Sequence, residues 1–247
     1  MTKGPVGKSK TSLKEQPSEP SREELSEFAY LPSEFEDNRI DPDKPYCSGN
    51  YKYMKGLLMQ RVGPNRYVHS ISVAKTARKI ARIYGYDDRQ ARMAGLLHDW
   101  DKALSPSRLA DRVSDCQIAV EEGAVERMPW ILHGPTAAAV LSRQFPWLGE
   151  DVCRAIERHT VGAPGMTPLD MIIFVADKIE PTHDVAAYKR LYKALGQMSL
   201  EELFFAVLKE GMAYLVRADR PISHGSLDVW NWYSEAFRSR EIKENDK

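Results

Sequence analysis

Six side chains of this chain have the chemistry of metal ligands and stand at spacings that let them meet in one cavity. They are His69, His98, Asp99, His133, His159 and Asp177. Imidazole and carboxylate donors together suit iron, manganese, zinc or nickel, and the set contains no thiolate. Four imidazoles and two carboxylates are what a pair of such ions needs. The order His, His-Asp, His, His, Asp therefore predicts a two-metal site.

Each histidine also has an ordinary structural interpretation. His98 and Asp99 end the helical segment AGLLHDWDK, where a surface His-Asp pair is common, and His69 lies beside an apolar stripe in RYVHSISVAKTA. His133 precedes a helix start, and His159 ends a helix whose dipole an imidazole can complement. Considered one at a time, the histidines favour structural roles, and only their joint order favours a metal site.

Asp177 is harder to explain as a structural residue. It lies inside IIFVADKIEP, an otherwise apolar helix, and buried carboxylates rarely occur without a charged partner or a metal. A salt bridge and a metal ligand both stay open for it. In the metal interpretation, Asp99 gives one oxygen to each ion. The first ion is then held by His69, His98 and Asp177 and the second by His133 and His159, with a water or hydroxide between them.

Helices must position all six residues, because helical periodicity runs from about residue 49 onward and no alternating strand run occurs. The sequence predicts an all-α fold, a single globular helical bundle. One predicted helix ends at Gly85, and others cover about 88–100, start at Ser105-Pro106 and Gly134-Pro135, or cover about 150–159, 168–179 and 226–240. Thr167 with Asp170, and Ser199 with Glu202, have the spacing of capping boxes.

The first 45 residues differ from the rest, because they are rich in Pro, Ser, Glu and Lys and lack an apolar period. Such a segment buries too little apolar surface to offset its chain entropy. We therefore expect a disordered or loosely attached N-terminal extension over 1–45, with residues 22–30 as its one candidate helix, and a folded domain over 46–247.

Charge and cysteine content exclude several other classes of protein. Lys plus Arg and Asp plus Glu number 35 each, so no basic excess indicates a nucleic-acid partner. No apolar run approaches the roughly 18 residues that cross a bilayer, and the N-terminus has no signal-peptide core. Three cysteines without a CxxC pair fit a reducing compartment. We expect a cytoplasmic protein, and the sequence leaves monomer and homodimer open.

Five stretches of the chain resemble one family of hydrolases. They are RYVHSISVAKTA, ARMAGLLHDWDKAL, ILHGPTAA, RHTVGAPGMTPLDMIIFVADKIEPTHD and, less closely, ADRPISHGSLDVWN. They look like the HD-domain superfamily of metal phosphohydrolases and, more narrowly, the bacterial symmetrical bis(5'-nucleosyl)-tetraphosphatases, which cleave diadenosine tetraphosphate into two ADP. The resemblance covers about 50–235 and implies an HD-type bundle. It also implies a di-iron centre at the six residues, with manganese, nickel or zinc as the alternatives.

Two positions depart from the family pattern. An arginine usually follows the IEP motif, in a segment like EPgRDF, where this chain has His183. A histidine would contact a phosphate more weakly than the planar guanidinium does. The late motif normally reads PIHP, whereas this chain reads Pro221, Ile222, Ser223, His224.

The mechanism that we expect is in-line attack of a metal-bridging hydroxide on a phosphoryl group of a dinucleoside polyphosphate. Asp99 would hold the ions and orient the nucleophile, and Lys102, four residues after His98, would bind a phosphate. A solvated surface charge is the alternative for Lys102 and for Arg66. The expected substrate contacts are Arg66, Lys102, Thr160, the ligands His133 and Asp177, and, on resemblance alone, His183, Arg220, Pro221 and Ile222.

Three other functions stay open from the sequence. An HD phosphohydrolase could act on a nucleoside mono- or triphosphate or a cyclic dinucleotide instead. A catalytically silent HD module could bind a partner through its helical surface, although it would have no reason to keep six ligands. The histidines could also be core packing of a helical scaffold, in which case chelators would leave the thermal midpoint unchanged.

Overall fold

The computed structural model describes residues 40–245, with side chains up to residue 239, and within this range the chain forms helices, turns and no strand. The α-helices are α1 Ser48–Arg61, α2 Pro64–Tyr84, α3 Asp88–Leu97, α4 Pro106–Asp115, α5 Ala124–Arg127, α6 His133–Gln144, α7 Glu150–Arg158, α8 Pro168–Ile179, α9 Ala186–Lys193, α10 Leu200–Arg217 and α11 His224–Asn245. Short 3₁₀ turns occupy Pro129–Ile131 and Pro146–Leu148. The predicted all-α fold is confirmed.

Local sequence signals set several helix ends. The Ser105 hydroxyl caps α4, and Thr167 with Asp170 forms both halves of a capping box at the start of α8. Ser199 and Glu202 do the same for α10, while Gly85 ends α2 in the left-handed region at φ 78°. These ends are therefore fixed by side chains or backbone freedom within the element itself.

One predicted helix end is wrong, because α3 stops at Leu97 rather than at Trp100. The amide of Trp100 donates to Leu97 at 3.0 Å and that of Lys102 donates to Asp99 at 3.0 Å, so the chain turns tightly after the helix. Smaller differences occur at α6, which begins one residue before Gly134, and at α11, which covers 224–245 rather than 226–240.

The core lies where α2 packs on α3 and α8, α6 on α7, and α7 and α10 on α8. At the α2–α3 contact the backbones approach closely, since a Cβ at Gly95 would lie 3.1 Å from the Cα of Ala74. Fully buried Ile80, Leu96 and Phe204 represent the apolar interior. This packing brings the ends of five helices toward one region.

The described chain begins with a turn that Asn50 holds against α1. The buried Asn50 amide donates to the carbonyl oxygens of Asp41 at 2.9 Å and Pro45 at 3.1 Å. The folded body thus includes contacts from Asp41 onward, five residues before the predicted boundary at 46. Residues 1–39, including the candidate helix at 22–30, lie outside the described residues. No described helix is long and apolar enough to cross a membrane.

Candidate metal centre

The six predicted ligands converge at the ends of five helices. They are His69 in the second turn of α2, His98 and Asp99 directly after α3, His133 at the first position of α6, His159 directly after α7, and Asp177 in the last turn of α8. Four overlapping groups of three among the cluster and His183 have donor atoms within 4.8 Å of one another. The sequence order alone therefore pointed to residues that are neighbours in space.

Asp99 lies between two pairs of imidazoles and turns one oxygen toward each. Its Oδ2 lies 3.3 Å from Nε2 of His98 and 3.6 Å from Nε2 of His69. Its Oδ1 lies 3.1 Å from Nε2 of His133 and 3.7 Å from Nε2 of His159. This carboxylate is positioned to serve two cations at once.

Asp177 lies nearest the imidazoles on the Oδ2 side of Asp99, although its carboxylate, His98 and His159 also have donor atoms within 4.8 Å of one another. Its Oδ1 is 3.0 Å from Nε2 of His69 and 3.4 Å from Nε2 of His98. The first half of the centre thus contains His69, His98 and Asp177, and the second half contains His133 and His159. We refer to these halves as the first and the second metal position.

Backbone carbonyls fix the tautomer of three of the histidines. Nδ1 donates to Gly95 at 2.8 Å in His98, to Trp130 at 2.7 Å in His133 and to Ile156 at 2.6 Å in His159. A carbonyl oxygen can only accept, so Nδ1 carries the proton in each ring. In the neutral rings of His133 and His159, Nε2 then presents a lone pair to the centre, as a metal-ligating imidazole does. For His98 burial opposes the charged form, but Asp99 and Asp177 outweigh it and raise the pKa to about 10, so a metal ion would take the place of the Nε2 proton there.

Two features of the Nε2 atoms in the cluster fit bound cations. Nε2 of His133 and Nε2 of His159 face each other at 2.9 Å, although neither carries a proton to share in the tautomers just assigned. Nε2 of His98 is fully buried and makes no hydrogen bond to a described residue, while oxygens of Asp99 and Asp177 lie 3.3 and 3.4 Å from it. Buried nitrogen atoms that face each other or lack a partner are costly unless a cation satisfies them, so the donor set suits metal binding.

The electrostatics of the cluster are those of ionised carboxylates in a buried site. Burial opposes ionisation of Asp99, but His98 and the other imidazoles hold the pKa of this carboxyl well below its usual range. For Asp177 the same opposing burial is outweighed by Lys178, and its pKa is also lowered. Burial lowers the pKa of His159 to about 3, which leaves that imidazole neutral and able to bind a metal.

Three predicted substrate contacts lie at the rim of the cluster. Nη1 of Arg66 donates to Oδ2 of Asp99 at 2.7 Å. Nζ of Lys102 lies 3.3 Å from Nε2 of His133, and the Thr160 hydroxyl oxygen lies 3.2 Å from the same atom. Lys102 reaches this place through the turn after α3 and not through a continuing helix.

The remaining predicted contacts are His183, which lies beside His69, and three residues of one loop. The His183 ring lies edge-on to His69 with centroids 5.5 Å apart, and its Nε2 lies 3.6 Å from Oε1 of Glu180. Arg220, Pro221 and Ile222 belong to the loop between α10 and α11, and Arg220 and Pro221 are exposed. Their part in substrate binding stays a prediction.

The sequence interpretation missed three charged groups around the centre. Glu180 is buried and accepts from Nδ1 of His69, at 3.1 Å. Lys178 pairs with Asp177, and Asp101 is fully buried between two arginines behind the turn at 98–101. The HDWDK and ADKIEP segments are dense in acidic and basic residues, and each missed residue lies within three positions of a candidate ligand, which is the signal that the sequence offered.

Comparison with known proteins agrees with this geometry. Residues 66–182, which include all six candidate ligands, match the HD domain family. A Staphylococcus aureus protein named bis(5'-nucleosyl)-tetraphosphatase, symmetrical, is 29% identical over 197 residues, covering 79% of this chain and 100% of that protein. A Bacillus subtilis protein of the same name is 28% identical, covering 70% of this chain and 91% of its own.

A solved structure from Clostridium acetobutylicum has a similar fold. It is described as a predicted HD superfamily hydrolase involved in NAD metabolism. Sequence identity is 28% and the TM-score is 0.69, with 75% of this chain and 97% of that chain covered. The similarity thus extends over most of the described helices.

Proposed function

Because the chain belongs to the HD-domain hydrolases, we propose that it is a metal-dependent phosphohydrolase that cleaves diadenosine tetraphosphate symmetrically into two ADP. The observation that supports it best is Asp99, whose two oxygens face two different pairs of histidines. The named relatives support the choice of substrate, since this chain covers nearly the whole of each.

The donor set assigns the residues that would hold two metal ions. His69, His98 and Asp177 with Oδ2 of Asp99 would hold the first ion, and His133 and His159 with Oδ1 of Asp99 the second. Iron is the ion that we propose, and manganese, nickel and zinc suit the same donors. Once bound, such ions would make water acidic enough to act as a nucleophile at neutral pH and would neutralise phosphate charge.

The surrounding cations would bind and orient the polyphosphate. Arg66 donates to Oδ2 of Asp99, and Lys102 lies beside His133, whose Nε2 faces Oδ1 of Asp99, so the two cations can contact phosphates on either side of the scissile bond. Charge-assisted hydrogen bonds of this kind neutralise the oxygens on which charge develops. The Thr160 hydroxyl adds a neutral donor next to His133. His183, beside His69, adds an imidazole donor at the position where the family resemblance leads us to expect an arginine.

Symmetrical cleavage defines the bonds that change. The oxygen of water forms a bond to one of the two central phosphorus atoms, and the anhydride bond between these two phosphorus atoms breaks. One ADP keeps the new oxygen, and the other leaves with the bridging oxygen. Positioning and electrostatics are the main contributions that the protein makes to such a reaction.

Elemental analysis of the purified protein together with chromatography of the products tests the proposal. We expect about two metal ions per chain and ADP as the sole nucleotide product from diadenosine tetraphosphate. His98→Ala and Asp99→Ala should lose metal and hydrolysis together, whereas Asp111→Ala, on the exposed side of α4, should keep both. Wild-type hydrolysis by either ligand variant would refute the mechanism.

The nearest alternative is an HD hydrolase for another nucleotide. A panel of nucleoside mono- and triphosphates and cyclic dinucleotides, assayed beside the dinucleotide, separates the two possibilities by the ratio of kcat/KM. Release of AMP and ATP from diadenosine tetraphosphate would contradict the symmetrical reaction. A protein that binds two metals and cleaves none of these compounds would instead be a binding module.

A further inference from the structure

Glu180 ends α8 directly behind His69, on the side of the ring that faces away from the metal centre. It is 1% exposed, and its Oε1 accepts from Nδ1 of His69 at 3.1 Å. Thr182 holds the same carboxylate, since its amide donates to Oε2 at 2.8 Å and its hydroxyl donates to Oε1. The carboxylate is thus fixed in place before it orients the imidazole.

This support distinguishes His69 from the other three histidines. His98, His133 and His159 donate from Nδ1 to neutral backbone carbonyls. A carboxylate acceptor withdraws the Nδ1 proton more strongly than a carbonyl does, and so makes Nε2 a better donor to a metal ion. Among the four, only the His69 ring has this support.

The number of ligands favours the first metal position as well. His69, His98 and Asp177 lie nearest the first position. Among the described residues, the second position has His133 and His159 nearest to it, on the side of Oδ1 of Asp99. Asp99 is shared equally, one oxygen to each. An ion at the first position therefore gains one more ligand, and that ligand is anionic.

The charges around the two positions also favour a cation at the first position. The carboxylates of Asp177 and Glu180 lie at the first position, where Lys178 and the partly exposed Arg66 offset them. Within the described part of the chain, the second position has no carboxylate besides the shared Asp99, and Lys102 lies 3.3 Å from Nε2 of His133. The second position thus carries the less favourable charge balance for a cation.

We propose that the two metal positions are unequal, that the first position fills before the second, and that Glu180 is a positioning residue for the ion at the first position. This inference rests on the metal-binding part of the proposed function. Glu180 acts through His69, because it holds the proton on Nδ1 and aims Nε2 at the centre. The ion at the second position is the one that exchanges with solvent.

The test is to titrate metal-free protein with Mn²⁺ by equilibrium dialysis and elemental analysis. Wild type should bind two ions with two distinct dissociation constants. Glu180→Gln keeps the size of the side chain but removes its charge, and it should weaken the tighter constant by about 10–100-fold. The weaker constant should change by less than about threefold.

A matched control separates positioning from general stability. Asp170 is a fully buried carboxylate near the other end of α8, where Arg158 donates to it at 3.0 Å. Asp170→Asn should lower the thermal midpoint and leave both Mn²⁺ constants unchanged. If Asp170→Asn weakened the tighter constant as Glu180→Gln does, the effect would be structural and the inference would fail.

A second variant tests the inequality from the other side, in case Glu180→Gln does not fold. Lys102→Met removes the positive charge beside His133, and it should tighten the weaker constant roughly tenfold while the tighter constant stays the same. Equal wild-type constants, or variants that shift both constants together, would overturn the inference. Two ordered Mn²⁺ constants without any hydrolysis would refute only the proposed reaction, and a chain that binds no Mn²⁺ would refute both.

Discussion

Asp101 accepts a hydrogen bond from Nη2 of Arg61 at 2.7 Å, directly behind the turn that carries His98 and Asp99. Nη1 of Arg112 donates to both oxygens of the same fully buried carboxylate, at 3.1 and 2.9 Å. Nε of Arg61 also donates to the Trp100 carbonyl at 2.7 Å. These contacts from α1 and α4 hold the turn in one geometry.

We predict that Asp101→Asn lowers the free energy of unfolding by about 3 kcal/mol, because it leaves two partly buried guanidinium groups without their counter-charge. Urea unfolding of metal-free protein measures this change without a contribution from bound ions. Asp111→Asn, an exposed change on α4, serves as the control and should stay within about 0.5 kcal/mol of wild type. A loss below about 1 kcal/mol in Asp101→Asn would mean that the ion pairs do not hold the turn.

Removal of bound metal should destabilise the whole bundle, since the six ligands join α2, α3, α6, α7 and α8. A ligand at about 100 times its Kd stabilises the folded state by about 2.7 kcal/mol, which in a chain of this size corresponds to roughly 5–10 °C in Tm. We expect a chelator to lower the Tm of wild type by that amount. His98→Ala should show no chelator response, and an unchanged wild-type Tm would favour histidines that only pack the core.

The helix ends that could be predicted from the sequence are those fixed by residues close to them in the chain. Two capping boxes show this. In each, the two side chains accept hydrogen bonds from each other's backbone amides within one helical turn, so the starts of α8 (Thr167 and Asp170) and α10 (Ser199 and Glu202) could be predicted from spacing. The end of α3 could not, because the apolar pattern continues to Trp100. The partner that fixes the turn is Arg61, 40 residues earlier in the chain.

The same distinction holds for the centre. The order of His69, His98 and Asp177 in the sequence predicted which residues meet, and the division of Asp99 between two imidazole pairs followed from the need for a bridge. Glu180 escaped prediction, because its interaction with His69 joins positions 111 residues apart. From the sequence alone, a glutamate directly after a helix is expected to be exposed to solvent. The structure shows that Glu180 is buried against His69 instead.

Cys153 should be inert to alkylation in the folded protein. Burial raises the pKa of its thiol to about 11, so at pH 8 only about one molecule in a thousand carries the reactive thiolate, and that fraction rises as the pH approaches 11. We expect iodoacetamide at pH 8 to label the partly exposed Cys47 and Cys116 first, as peptide mass spectrometry would detect. In urea, which unfolds the protein, Cys153 should be labelled as fast as Cys47 and Cys116. Equal labelling of all three thiols in the native protein would contradict the burial of α7 in the core.

Lys102→Met should impair hydrolysis while the protein still binds two metal ions. The side chain lies beside His133 and can donate a charge-assisted hydrogen bond to a phosphate oxygen, so its loss should lower kcat/KM for diadenosine tetraphosphate roughly 10–100-fold. Lys102→Arg keeps the positive charge but changes the geometry of the donor, so this variant should retain part of the kcat/KM that Lys102→Met loses. Metal loss in Lys102→Met would instead assign Lys102 a structural role in the centre.

Gly134 allows α6 and α7 to approach each other where they carry His133 and His159. A Cβ at this position would lie 2.9 Å from the carbonyl oxygen of Glu157 and 3.0 Å from that of Ile156, and backbone atoms cannot move aside as a flexible side chain can. Gly134→Ala must therefore separate the two helices, and we expect it to cost about 1–3 kcal/mol in unfolding free energy.

The same separation should reach the metal centre, because Cε1 of His159 would be 3.3 Å from the added methyl group. We predict that Gly134→Ala binds less metal at the second position than wild type. Gly211→Ala is the matched control, since a Cβ there meets nothing within 4 Å and lies within α10. The control should stabilise the protein by about 0.5–1 kcal/mol through helix propensity, with two metals bound. If Gly134→Ala behaved like Gly211→Ala, the close contact between α6 and α7 would have no role in holding His133 and His159 together.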